Sequence, residues 1–171
     1  MSYIDNVLKS IKHSVNYKGE TQVKIDGEFY ILKIEFNKPA STQEINVFEQ
    51  VNNIILPVDY KDFLVQHNGA EMYRFVDDNG KITGGGLHLF SLDEISEVKS
   101  KVKNVEPFNG AGILIGHLLE DCYLCIDPEK ALRGSHNYLN MLEFIEVLPI
   151  SYNFERFLEK YVEHNGEVFW H

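Results

Sequence analysis

Apolar residues Ile4, Val7, Leu8, Ile11 and Val15 recur at helical spacing, so residues 3–16 are predicted to form an amphipathic helix. Gly19 suits a left-handed cap at its exit. The period then drops to two. Residues 21–25 and 28–36 read as strands around Asp26-Gly27, a strong hairpin signal. In the second, Tyr30, Leu32, Ile34 and Phe36 alternate with Lys33 and Glu35, which predicts one buried side. Helical spacing returns after Pro39-Ala40. Ser41 or Thr42 can cap a helix with Glu44 near a capping-box position, and Ile45, Phe48 and Val51 make its apolar stripe. Pro57 opens a further helix, expected over 57–68, with Tyr60, Phe63 and Leu64 inward and Asn68-Gly69 as its stop.

Residues 72–76 and 81–83 flank Asp77-Asp78-Asn79-Gly80, a hairpin loop. A short strand is expected at 87–90, then a helix near 92–103 capped by Ser91 or Asp93. Residues 113–117 and 122–126 read as two more strands, and 140–148 as another whose period is ambiguous. Phe154, Phe157, Leu158, Tyr161 and Val162 mark the clearest helix, over 152–164, after which Val168-Phe169-Trp170 is expected to fold back onto the core. Strands and helices alternate without a regular βαβ rhythm. That favours a single α+β domain over 1–171, with a mainly antiparallel twisted sheet and helices packed against it.

The chain has 171 residues, enough to bury a core without a metal or disulfide staple. No apolar run approaches the ~18 residues of a membrane span, and the start has no basic and apolar signal-peptide pattern. The expectation is a cytoplasmic protein. Charge changes the picture further, because the formal net charge is -10. Residues 1–38 carry six Lys and five acids, whereas residues 106–171 carry four basic and eleven acidic residues. Phosphate backbones are repelled by such a chain, so direct nucleic-acid binding is disfavoured; a basic protein partner is permitted. A solvated acidic surface that aids solubility gives the same count.

The candidate chemistry is thin. Gly84-Gly85-Gly86 lacks the Lys-Ser/Thr pair of a phosphate loop and precedes a strand pattern, so it reads as a turn or bulge. Cys122 and Cys125 have CxxC spacing with no second pair, and on a strand they point to opposite faces, which suits core packing better than metal or redox work. The seven His are dispersed and no Ser sits in GxSxG. No catalytic residue, cofactor or metal site is therefore assigned. Carboxylate pairs occur at Asp77-Asp78, Asp93-Glu94 and Glu120-Asp121. The middle pair suits a first helical turn. Asp77, Asp78, Glu120 and Asp121 lie in expected turns and are the candidate contacts for a basic partner.

The order of motifs carries more than any one of them. Glu49, then Leu56-Pro57-Val58-Asp59-Tyr60-Lys61-Asp62-Phe63-Leu64, then Asn68-Gly69, resembles the signature of the SUKH superfamily, which includes the Smi/Knr-type proteins. Leu89-Phe90-Ser91-Leu92-Asp93-Glu94-Ile95 resembles its strand-to-helix step, Ile113-Leu114-Ile115-Gly116 and Tyr123-Leu124-Cys125-Ile126-Asp127 its paired strands, and Ser151-Tyr152-Asn153-Phe154-Glu155-Arg156-Phe157-Leu158 its closing helix. The likeness runs over about 41–164, with 1–38 as an N-terminal helix and hairpin elaboration. It implies a non-enzymatic binding protein. Bacterial members are mostly immunity proteins that neutralise toxin domains, often nucleases; eukaryotic relatives regulate cell-wall synthesis through protein partners. Three readings follow: an immunity protein for one cognate toxin, a regulatory scaffold for cellular proteins, and, ranked below both, an enzyme using carboxylate or His groups in a deep pocket.

Overall fold

A computed structural model of the chain describes residues 3–118 and 122–170. The strands are β1 (Glu20–Ile25), β2 (Glu28–Phe36), β3 (Ala70–Val76), β4 (Ile82–Gly84), β5 (Leu87–Leu89), β6 (Ile113–Leu118), β7 (Cys122–Ile126), β8 (Leu139–Glu143) and β9 (Glu146–Pro149). The helices are α1 (Tyr3–Ser14), α2 (Thr42–Asn52), α3 (Val58–Leu64), α4 (Leu92–Val102), α5 (Phe108–Ala111), α6 (Pro128–Leu132) and α7 (Phe154–Glu163). The strands form one antiparallel sheet in the order β1-β2-β3-β5-β6-β7-β8-β9, with β4 on β3. This is the α+β class that the mixed periods predict.

Cross-strand partners share a face, so the pairing sorts the side chains. Met72, Leu87, Leu118 and Cys122 fall in one row. Tyr161 of α7 lines a cleft with Leu32 and Leu118, and α1, α3 and α7 pack on one another over that face. Glu71, His88, His117 and Tyr123 make a row on the other face. There Phe108 of α5 meets the Tyr123 ring edge-on, and Val98 of α4 lines a groove with His88 and His117. The sheet is thus a middle layer between two helical ones. Residues 3–36 are integral to this arrangement: α1 packs against α3 and α7, and β2 pairs with β3.

Local signals fix the helix starts. Ser41 and Ser91 each cap a helix in a full capping box, with Glu44 and Glu94 bonding back. Asn153 caps α7 and Asp127 caps α6. Four expectations are corrected. First, α3 stops at Leu64 rather than at Asn68: local bonds from Val65 N to the Lys61 carbonyl and from His67 N to the Phe63 carbonyl make a last turn, but the bond that would carry the helix on is replaced by tertiary ones, the Leu64 carbonyl accepting from Ala40 N and Asn68 N donating to the Lys38 carbonyl. Gly69, at φ +95°, then passes so close to Leu89 that a Cβ would lie 2.7 Å from its carbonyl oxygen. Second, Val51 is exposed on α2, since the buried stripe of this short helix holds only Ile45 and Phe48. Third, Tyr30 is exposed, because β2 outruns the core and only Leu32 and Ile34 of its alternating set are buried. Fourth, 140–148 is not one strand. It is the hairpin β8–β9, turning at Phe144-Ile145.

Candidate partner-binding surface

The two ends of the sheet are built differently. The register places every junction between a strand and a helix at one end: α1 to β1, β2 to α2, α3 to β3, β5 to α4, α5 to β6, β7 to α6, α6 to β8 and β9 to α7. The turns β1–β2, β3–β4 and β8–β9 fall at the other end. The strand ends Leu118 and Cys122 lie there too.

Signature residues gather at the helix end, where they tie elements together. Glu49 Oε1 accepts from Leu56 N at 2.7 Å and pairs with Lys61 Nζ at 3.2 Å, holding the approach to α3. The Asp59 carboxylate accepts from the Tyr138 hydroxyl at 2.7 and 2.8 Å and from Glu155 N at 3.1 Å. The same hydroxyl accepts from Phe154 N at 2.9 Å. Burial, and then the Asp59 charge, push the Tyr138 phenol well above its ordinary range, so it stays a donor. The Asn68 side chain accepts from Leu92 N at the start of α4. The signature is thus a set of struts joining α3, α4, α7 and the entry to β8. Tyr138, which completes the strut to α7, carries no sequence signal of its own.

The hairpin end carries charge instead. Asp26 and Glu28 flank the first turn; Asp77 and Asp78 sit on the second; Glu143 and Glu146 bracket the third. All except the half-buried Glu143 are exposed, and the basic residues nearest to these turns in the chain are Lys24 and Lys81. Asp77 has a structural duty as well, its Oδ1 accepting from Asn79 N and Lys81 N at 2.9 Å. Asp78 is exposed. Glu120 and Asp121 lie outside the described residues, in the segment between Leu118 and Cys122. Beside the acids, Phe144 and Ile145 expose 74% and 78% of their surface at the β8–β9 turn. Sequence reasoning did not anticipate this apolar tip, because no Gly, Asn or Asp marks the turn.

A second polar cluster lies on the α4–α5 face. His88 Nδ1 meets Glu71 Oε1 at 2.6 Å, His88 Nε2 meets Glu94 Oε1 at 2.9 Å, and Glu71 Oε2 is 3.2 Å from Arg74 Nε. The bond to Glu71 outweighs burial and raises the His88 pKa; the two carboxylate charges add to it. With both ring nitrogens donating to carboxylates, the imidazolium has no lone pair for a substrate proton. The adjoining groove of about 350 Å³, lined by Phe90, Val98 and Tyr123, is open. Cys122 and Cys125 are buried in β7, where burial pushes both thiols up to about 12. They are neutral at physiological pH and pack as small apolar groups. Among the described residues no helix is long and apolar enough to cross a membrane.

Comparison with known proteins completes the picture. The family model of the SMI1 / KNR4 family (SUKH-1) matches residues 39–160, from the approach to α2 into α7. The uncharacterized protein YobM of Bacillus subtilis (strain 168) is 37% identical over 172 residues, covering 99% of this chain and 91% of YobM. The uncharacterized protein YnaB of the same strain is 34% identical over 138 residues, covering 79% of this chain and 85% of YnaB. The likeness to YobM therefore extends through α1, β1 and β2, beyond the span of the family match.

Proposed function

The chain belongs to the SMI1/KNR4 (SUKH-1) family, and from that membership we propose that it is an immunity protein, binding and neutralising a cognate toxin in the cytoplasm by a non-covalent protein interface. The toxin is a basic nuclease domain. Nucleases that grip phosphates concentrate positive charge around their active sites, and an acidic inhibitor is steered there over a long range. The observation that carries this reading is the division of labour in the sheet. Signature residues are engaged in struts at the end that carries the strand–helix junctions, whereas the opposite end presents exposed carboxylates on its hairpins. Asp77, Asp78, Glu120 and Asp121 are the proposed contacts.

The mechanism is occlusion, with no turnover. Attraction between the acidic rim and the toxin's phosphate-binding surface speeds encounter, and short-range packing then sets the lifetime of the complex. The decisive experiment is co-purification with the product of the adjacent gene, followed by association kinetics with that product at rising salt. Binding should be tight, with an on-rate that falls steeply as salt screens the charges. Asp77→Asn/Asp78→Asn should slow association while leaving the hairpin intact, since Asn keeps the Asp77 acceptor oxygen. A salt-independent on-rate, or conversion of a substrate by the protein alone, would refute the reading.

A second reading, a regulatory scaffold for cellular proteins, is favoured by a different feature. Exposed Ile55 and Leu132 line a groove of about 600 Å³ between the end of α2 and α6. That groove lies at the helix end, so a partner seated there would be insensitive to changes at Asp77 and Asp78.

A further inference from the structure

The β8–β9 turn is made against the preferences of its residues. Glu143 pairs with Glu146, leaving a two-residue connection, Phe144-Ile145. Phe144 adopts φ +53°. Such a first turn position favours Gly, Asn or Asp, because a bulky side chain crowds the backbone in the left-handed region. Burial of the ring would offset that strain, but Phe144 exposes 74% of its surface and Ile145 78%. Strain combined with exposure works against folding twice, and such local conflicts mark functional positions.

The neighbours say what the tip can meet. Glu143 and Glu146 stand immediately beside it, Glu143 being held by the Trp170 indole N–H at 2.9 Å. The hairpin bearing Asp77 and Asp78 hangs on β3, four inter-strand steps from β8, or about 19 Å across the sheet. That distance fits within the footprint of one ordinary protein interface, about 800 Å² per partner. An apolar anchor with a polar, solvent-accessible rim is a usual layout of a protein interface, and the acids beside Phe144 and on the β3–β4 hairpin can supply that rim. A second copy would bring like charge against like, given the net charge of -10, and an anionic lipid surface would be repelled in the same way.

We propose that Phe144, with Ile145, is the apolar anchor of a protein interface at the hairpin end, seated in an apolar pocket ringed by basic residues on the partner. This rests on the binding function proposed above and names the residue that holds the complex together. The affinity of such an anchor resides in the dissociation rate, whereas the acidic hairpins act on association.

Phe144→Asn tests it, because folding and binding should move in opposite directions. Asn accepts positive φ, so the full-length variant should melt about 2–4 °C above the native protein. The binding probe is the tightest basic polypeptide recovered by the native chain from a displayed library of its own organism's coding fragments. The variant should bind it about 30-fold or more weakly, chiefly through faster dissociation. Equal binding by both proteins would overturn the anchor while leaving the binding function standing. A lower melting temperature would also overturn it, by making Phe144 a folding residue. Recovery of this same chain as the tightest binder would replace it with self-association. Failure of the native chain to enrich any saturable binder would remove the binding function itself, and the anchor with it.

Discussion

Tyr138→Phe deletes one oxygen from a shared node and asks how much that node holds. Tyr138 is 3% exposed, and its hydroxyl donates to Asp59 while accepting from Phe154 N. Loss of a bond to a charged group costs about 1.5–3 kcal/mol. The Phe154 N–H is also left without its acceptor, a desolvation cost of about 1–3 kcal/mol. Asp59 retains the bond from Glu155 N, which softens the loss, so the expected total is about 3 kcal/mol. In urea, with a slope near 2.5 kcal/mol per M, the midpoint should fall by about 1.2 M at an unchanged slope. Asp59→Asn in the same background should then cost less than it does alone, because the two changes share one bond. The node lies at the end of the sheet remote from the hairpins, so the folded fraction should bind the proposed partner as the native protein does. A fall of less than about 0.3 M would refute the reasoning: the strut from α3 to α7 would then be slack, and apolar packing alone would orient the two helices.

Further expectations concern the buried polar groups. His88 has a raised pKa, so its stabilisation is complete below the ordinary value of 6.5 and is lost as pH rises through the folded-state value. Unfolding midpoints measured from pH 6 to 9 should therefore decline more for the native protein than for His88→Gln, and parallel curves would contradict the ion-pair cluster. The Tyr60 hydroxyl is fully buried with no hydrogen-bond partner among the described residues. Tyr60→Phe should leave stability equal or raise it by up to about 1 kcal/mol, and a clear loss in chemical denaturation would show that the hydroxyl is engaged.

Much of the architecture is written locally. The capping boxes at Ser41 and Ser91, the Asp26-Gly27 turn and the apolar face of α7 each use residues within a few positions of one another, so their signals survive in the bare sequence. The motif order likewise carried the family resemblance. The reach of a segment into the core was not legible. Val51 continues the spacing of Ile45 and Phe48, yet it stays exposed; Tyr30 continues an alternation in a strand that outruns the helices beneath. Such outcomes depend on the placement of distant elements, which no local period encodes.

The same distinction governs function. The sequence by itself determined an acidic α+β chain bearing the struts of its family, because charge sums and short motifs need no third dimension. Only the tertiary structure decided that Asp77 and Asp78 share an end of the sheet with the Phe144 tip, across strands far apart in the chain. It alone also revealed that Phe144 turns a hairpin, since an exposed aromatic at positive φ is the residue that turn preferences exclude. Antiparallel pairing is the physical reason: successive reversals fall at alternate ends of the sheet, so strand register, rather than proximity in sequence, chooses the side chains that stand together at each end.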